Sequence, residues 1–473
     1  MHHIREHLAW WGLKRLNSDA AYDRWQRESL SLQEITRLHE LIEQKRTSPV
    51  ADEAAFYDFT VRPHILPVLY SQRYEYYETI GPRVLDHLKD ARSVLDLGCG
   101  PGILTTFYAK LRPDVTFVGI DRSASSVGVA QARAAALGLR NVQFDALDVE
   151  KTEVAARFDV ILATHALVQS EADPGIPSVN WKTFARSLDS CAQDSFEQRT
   201  GLRVRLSALC DMLEPPARMI LFEKTRQLAR RVAFQRAVAA RGFRLIEKPV
   251  PVRYRLIEEI ADDGPFYVTG RGEAGSANHI PWDEEPERGE QDELYRCAGE
   301  AARWVWERLP ERSASGSESW HDAKLGGVRV ERGRAVGSLA YLYLTDETRS
   351  SAMFMGGEAA IDALHPKSEP VVEVFHEPDH PPTSREDLAT LPLYENHTVA
   401  AQWVWSRLAD RRIIRDTTLD GPEGRQMHVE LGQVPHLIYL YWANTFDQRQ
   451  LVMIEESRAH VLDQYYREFL DSR

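Results

Sequence analysis

The stretch VLDLGCGPGILTTF, residues 94–107, is an apolar run that breaks into three glycines, Gly98, Gly100 and Gly102, and then resumes with helical character. Glycines in such a turn let a flat or charged ligand approach backbone that side chains would otherwise screen. The run is also the first of a series. Short apolar segments at 94–96, 116–120, 142–144, 158–163, 219–223 and 245–247 alternate with helix-like segments at 103–110, 125–137, 203–213 and 226–241. Alternation of this kind implies a parallel sheet covered on both faces, so the expected fold class is a doubly wound, mostly parallel α/β domain.

That series occupies only part of 473 residues, a length that predicts more than one domain. Before it, Leu30, Ile35, Leu38, Leu41 and Ile42 recur at helical spacing, and Pro63 and Pro67 interrupt a tyrosine-rich segment with a bend. After it comes an internal repeat: LYRCAGEAARWVWERL (294–309) returns as LYENHTVAAQWVWSRL (393–408), and LAYLYL (339–344) as LIYLYW (437–442). Trp304 and Trp403 are 99 positions apart, Tyr341 and Tyr439 are 98 apart, and so regular an offset argues for duplication. Each copy reads as an amphipathic helix followed by two or three antiparallel strands, its tryptophans buried against them. Acidic, proline-bearing segments precede both helices. The expected domains are an N-terminal helical lid (1–80), the α/β domain (81–257) and two α+β repeat units (258–365 and 366–473).

The formal net charge of −13 argues against a nucleic-acid partner, whose phosphates demand a basic face. The one basic run, RQLARRVAFQR at 226–236, reads as a solvated helix face. Four scattered cysteines form no CxxC pair or zinc spacing and read as reduced thiols; no metal site is expected. No apolar stretch reaches membrane-spanning length, and the start lacks a signal-peptide apolar region, so a cytoplasmic location is expected.

Three ligands compete for the turn DLGCGPG. A dinucleotide fingerprint needs a third glycine where Ile103 stands, and a phosphate loop needs a lysine that is missing. What remains is G-x-G-x-G preceded by Asp96, an acid that would repel a pyrophosphate but suits an amine and a sulfonium. The next strand ends in FVGIDRS, whose Asp121 can accept hydrogen bonds from both hydroxyls of a ribose; FDALDVE places Asp148 to take an adenine amino group. RFDVILATHALVQ then supplies a fourth strand and a loop at its carboxyl end, where ligands sit in such sheets.

This ordered series closely resembles the class I S-adenosylmethionine-dependent methyltransferases, over about residues 81–254. LSALCDMLEPPARMILFEKT resembles the family's fifth block, a helix, turn and strand followed by a β-hairpin, with Pro215–Pro216–Ala217 where the family usually carries Pro-Gly-Gly. The resemblance implies S-adenosylmethionine as cofactor, with Gly98, Gly100 and Gly102 along its methionine portion, Asp96 on its amine, Asp121 at the ribose and Asp148 at the adenine; Arg122 and Leu147 are further candidate cofactor contacts. Tyr70, Arg73 and Tyr74 would close over it as a lid, or else pack as a plain helix. Cys99 reads as a space-filler. His165, just past the fourth strand, is the candidate base for an acceptor that must lose a proton, with a packing or cofactor-contacting role as the alternative. Residues 170–201 exceed a minimal connection and are expected to shape the acceptor pocket, with Asp173, Trp181 and Lys182 prominent. The function implied is methyl transfer to a small molecule or peptide, with the duplicated tail serving packing, homodimerisation or recognition of the acceptor. A reading from another class is a cofactor-sensing scaffold whose repeats bind a partner protein. The complete glycine turn and Asp121 favour the enzyme.

Overall fold

The computed structural model describes residues 2–47, 53–169, 173–271, 280–286, 293–322, 326–335, 339–347, 350–368, 371–372, 374 and 390–471. The chain forms two compact units, one running to Gly175 and resuming over Asp189–Asp283, the other made of Ile176–Leu188 and the residues from Glu284 onward.

The first unit opens with helices α1 (His2–Trp10), α2 (Asp19–Ser29), α3 (Leu32–Thr47), α4 (Glu53–Thr60), α5 (Leu66–Ser71) and α6 (Tyr74–Asp86). Pro67 sits in the first turn of α5, where its missing N–H costs nothing, so the expected bend becomes a break between two helices. These helices are not a separate body. Ile4, Leu8 and Trp11 join Tyr76, Tyr77, Ile80 and Val84 in one buried cluster with Val94, Phe107 and Phe117 of the α/β core. Gly81 permits the close fit, since a Cβ there would stand 3.1 Å from Leu104 and 3.2 Å from Ile4.

The α/β elements follow: β1 (Ser93–Leu97), α7 (Ile103–Leu111), β2 (Thr116–Asp121), α8 (Ala124–Ala136), β3 (Val142–Ala146), β4 (Phe158–Thr164), α9 (Ser190–Arg199), α10 (Leu202–Asp211), β5 (Leu213–Phe222), α11 (Leu228–Ala240), β6 (Arg244–Leu245), β7 (Val250–Leu256) and β8 (Glu259–Arg271). The sheet runs β3-β2-β1-β4-β5-β8-β6, with β7 also on β8; the first five strands are parallel and β8 is antiparallel to β5. Strand order reverses at β1, so the glycine turn lies at the point where such sheets bind ligands. The boundary expected at 257/258 falls in the β7–β8 turn, and the unit continues to Asp283. The basic run at 226–236 is not a solvated face. Helix α11 is buried on nearly every side, Arg230 and Arg231 included, and Arg230 donates to the Asp173 carbonyl at 2.7 Å.

The second unit contains β9 (Tyr295–Ala298), α12 (Gly299–Arg308), β10 (Ser313–Asp322), β11 (Gly326–Arg334), β12 (Ala340–Thr345), β13 (Ser351–Gly356) and α13 (Glu358–Ala363), then β14 (Tyr394–Asn396), α14 (Val399–Arg407), β15 (Arg412–Asp420), β16 (Gln426–Val434), β17 (Leu437–Asn444), β18 (Arg449–Glu455) and α15 (Ala459–Asp471). Two five-stranded antiparallel sheets result, ordered β10-β11-β12-β13-β9 and β15-β16-β17-β18-β14. Each helix is followed by four strands, more than the two or three expected. Residues of both sheets, with Val305 of α12 and Val404 of α14, share one buried cluster, against which Trp304, Trp306, Trp403 and Trp405 pack. The acidic segment before α12 lies partly, and the one before α14 (376–387) wholly, outside the described residues.

Candidate active site

The backbone explains the three glycines. Gly98, Gly100 and Gly102 have φ of 71°, 53° and 81°, a region that costs other residues strain. A Cβ on Gly98 would lie 2.7 Å from that of Ala166, and one on Gly102 2.8 Å from that of Ala130; Gly100 has nothing within 4 Å. The outer two thus fit the turn to its own neighbours. The middle one opens to a ligand.

Asp121, at the end of β2, holds this turn in place. Its carboxylate accepts from Gly100 N at 2.8 Å and from Ser123 N at 2.9 Å, and its own carbonyl accepts from Leu147 N at 2.9 Å. Each carboxylate oxygen keeps a lone pair. Asp96 is almost fully buried at the end of β1, takes a 2.5 Å bond from Thr105 Oγ1, and is pushed up by burial to about 7. Thr105 escaped the sequence reading, although position 105 faces back over the turn from the first turn of α7. Burial pushes the Cys99 thiol up, away from the nucleophilic thiolate, and its sulfur fills space over Gly119.

Asp148 closes its own turn, accepting from Glu150 N at 3.0 Å and pairing with Lys151 at 2.9 Å. Burial works against ionisation there, but Lys151, the Glu150 amide and the charge of Arg122 prevail and hold the carboxyl low. Arg122 itself is exposed.

The segment expected to form a lid divides. Arg73 points to the site: its guanidinium donates to Nδ1 of His165 at 2.7 Å and lies 4.4 Å over the Tyr76 ring. Tyr70 is close enough to Arg73 and Asp121 to feel both charges. Tyr74 turns away, toward Glu78, Arg5 and Arg15, because successive helical positions diverge by about 100° and Arg73 and Tyr74 cannot share a face.

His165 lies just beyond β4 with φ of 56°. Its ring stacks on Tyr76 at 5.3 Å, its Nδ1 accepts from Arg73, and its Nε2 stands 3.1 Å from Asp263 Oδ2 without hydrogen-bond alignment. Nδ1 can accept only if the proton sits on Nε2. Burial lowers the imidazole to about 4, so the ring is neutral at pH 7. Asp263, on β8, is bonded by Tyr254; burial would raise it, but His165, Tyr254 and Lys224 outweigh this and hold it at about 2. Neither Asp263 nor Tyr254 was singled out in the sequence, since only pairing across the β7–β8 hairpin brings them here.

Glu223, directly after β5, was passed over as a strand terminus. Its carboxylate accepts from Ala166 N at 2.9 Å, Leu167 N at 2.9 Å and Val168 N at 3.2 Å, and so sets the loop that carries His165. Burial nevertheless raises it to about 7. Of the insertion after β4, Asp173 stays in the first unit, paired with Arg199 at 2.7 Å, whereas Trp181 and Lys182 belong to the second.

Residues 88–221 match the family model described as a methyltransferase domain. A putative methyltransferase, 235L, of Invertebrate iridescent virus 6 is 26% identical over 100 residues, 21% of this chain and 36% of that protein. A ubiquinone biosynthesis O-methyltransferase of Methylobacterium nodulans is 41% identical over 75 residues, 16% of this chain and 29% of that protein. The matches therefore span only about a third of these relatives' own lengths. Among solved structures, magnesium protoporphyrin IX methyltransferase of Synechocystis with bound S-adenosylhomocysteine aligns over 54% of this chain and 95% of its own, at 14% identity and a TM-score of 0.30. With its glycine turn at the β1 switch point of a sheet whose parallel strands run 3-2-1-4-5, the central α/β unit carries, over residues 88–221, a methyltransferase domain.

Proposed function

We propose that this chain transfers a methyl group from S-adenosylmethionine to a small-molecule or peptide acceptor. The observation that carries the reading is a charge imbalance. Asp96 and Asp121 flank the glycine turn and raise each other's burden of negative charge, and among the described residues no cation pairs with either. A ligand bearing an ammonium and a sulfonium supplies what the turn lacks, and the open face of Gly100 gives it room. Asp121's remaining lone pairs suit ribose hydroxyls and Asp148 suits the adenine, with Arg122 and Leu147 alongside as further cofactor contacts.

The cofactor, when bound, supplies a methyl already activated on sulfur. What the chain must add is alignment and water exclusion. Arg73, Tyr76 and His165 form the wall beyond β4, and Glu223 fixes the loop beneath it through three backbone bonds. His165, first considered as a base, is better read as a positioning residue: the lone pair that would accept a proton already accepts from Arg73. Rate profiles should then show no limb near pH 6.5, the unperturbed histidine value; a limb there that vanished in His165→Asn would restore the base.

We read the two C-terminal sheets as duplicated units that serve the acceptor. The support is residue by residue. Trp306 donates to Glu331 at 3.2 Å and Trp405 to Glu430 at 3.0 Å; Tyr341 and Tyr439 bond the same glutamates at 2.7 and 2.6 Å. Arg312 and Arg411 lie 3.6 and 4.1 Å over the respective tryptophans.

Titration calorimetry tests the enzyme reading. S-adenosylhomocysteine should bind and NAD should not, and labelled methyl should leave S-adenosylmethionine for an acceptor in a metabolite or peptide pool. Binding without transfer would favour the sensing scaffold; NAD binding would end both readings.

A further inference from the structure

The two sheets of the second unit differ in what lies over the face that carries the paired glutamates. On the second, residues 176–188 lie across the face that carries Glu430. The Trp181 ring stacks on His428 at 3.7 Å with the planes 1° apart, and meets the edge of Trp405 at 5.8 Å. The strap is tied by Ser178 N to the Thr445 carbonyl at 2.7 Å, by Gln402 to the Lys182 carbonyl at 2.8 Å, and by an ion pair between Arg186 and Asp447. Under it, His428 is 3% exposed and the Glu430 side chain is likewise 3% exposed.

On the first sheet, among the described residues, the same positions are more exposed. Arg329 stands where His428 stands, because Glu331 pairs with Tyr343 across β11–β12 as Glu430 pairs with Tyr441 across β16–β17, and each of the two lies two residues before its glutamate. Arg329 is exposed, and the Glu331 side chain is 17% exposed. Trp306 is stacked on Tyr343 at 4.7 Å, as Trp405 is on Tyr441 at 4.3 Å, so the aromatic wall is already assembled. Beside Arg329 on the same face, the Glu347 carboxylate lies over Gly327.

We propose that this face of the first sheet binds a peptide segment carrying a tryptophan followed by a lysine, in the manner in which the second sheet takes residues 176–188. The inference deepens, and rests on, the reading of the tail as a duplicated, acceptor-selecting module. The covering strap shows what fits such a face: a flat ring over the position that His428 holds there and Arg329 holds here, edge-to-face with the helix tryptophan. A guanidinium in place of imidazole keeps that preference, since cations sit favourably over indole. Glu347 offers a partner for the lysine that follows, as Lys182 follows Trp181 in the strap.

The test uses the full chain and a labelled synthetic peptide of residues 176–188, followed by fluorescence anisotropy. Saturable binding with one site per chain is expected, at least tenfold weaker for Arg329→Glu and for a peptide with alanine at the Trp181 position. Arg329 is exposed, so the charge reversal should leave folding intact; an unchanged thermal unfolding curve and near-ultraviolet dichroism of the same preparation verify this. Absence of saturable binding, or binding indifferent to Arg329→Glu, overturns the proposal. Binding that appears only in Trp181→Ala also overturns it, because the peptide would then be refilling the strap's own place. Cofactor binding and methyl release are read separately, so loss of peptide binding with both intact refutes this site alone, while intact peptide binding without cofactor binding refutes the enzyme reading alone.

Discussion

At the scale of single residues, the two acids of the glycine turn do different work, and each makes its own prediction. Asp121 anchors the turn through Gly100 N and Ser123 N, and in the proposed complex its remaining lone pairs meet the ribose. Asp121→Ala removes charge-assisted bonds worth about 1.5–3 kcal/mol each, so S-adenosylhomocysteine should bind roughly tenfold or more weakly by calorimetry. Unchanged affinity would mean that the ribose lies elsewhere. Asp96 instead responds to protons. Its carboxyl is raised to about 7 by burial, above its unfolded value near 4, so between those limits the ligand-free folded state binds the proton and stability falls as pH rises. A ligand ammonium needs the carboxylate. Affinity should therefore climb with pH up to about 7, roughly tenfold per unit, and level off above, with a proton released on binding at low pH. Calorimetry in buffers of different ionisation enthalpy checks this; a flat profile, or one that persists in Asp96→Asn, would detach the amine from Asp96.

At the scale of elements, what was legible in the sequence followed locality. The parallel strands, their order of function and the turn were readable because each is written in a few consecutive residues: apolar run, glycines, closing acid. Glu223, Asp263 and Tyr254 were not, because their significance comes from pairing between elements far apart in the chain. Glu223 looks like the end of an ordinary strand until β5 is laid beside β4 and its carboxylate meets three amides of the following loop. Tyr74 misled for the opposite reason: composition grouped it with Arg73, and helical rotation separated them. The Glu223 arrangement predicts a local effect. Glu223→Ala leaves the buried Leu167 donor without its acceptor at a cost of about 1–3 kcal/mol, and frees the part-buried donors of Ala166 and Val168, so the loop must reorganise to reach water. Amide hydrogen exchange at Ala166, Leu167 and Val168 should quicken while exchange in β1 and β2 stays near its parent rate. Unaltered protection of those three amides would show that the loop holds itself.

At the scale of the whole molecule, the chain's path decides how it can be divided. The N-terminal helices were expected as a separate lid, yet Ile4, Leu8 and Trp11 share a core with β1 and α7, so residues before 81 cannot be removed without opening that core. The boundary at the other end has a subtler form, because residues 176–188 leave the first unit's own set of contacts and their Trp181 is buried with the second. A chain that simply stops at Asp283 would carry this strap with no sheet to cover it. Ile176 and Trp181, 1% and 7% exposed in the full chain, would then be left to solvent. Exposed apolar segments of this kind drive self-association. We expect such a truncated chain to aggregate, and a version in which a flexible Gly/Ser segment of equal length replaces residues 176–188 to stay monomeric and bind S-adenosylhomocysteine within about threefold of the parent, since the glycine turn, Asp96, Asp121 and the whole sheet through β8 remain. Size-exclusion chromatography with light scattering, followed by calorimetry on the same two chains, separates the possibilities. If the plain truncation is the better behaved of the two, the strap is held by the first unit after all; if neither binds the cofactor, the two units share a dependence that their separate cores do not express.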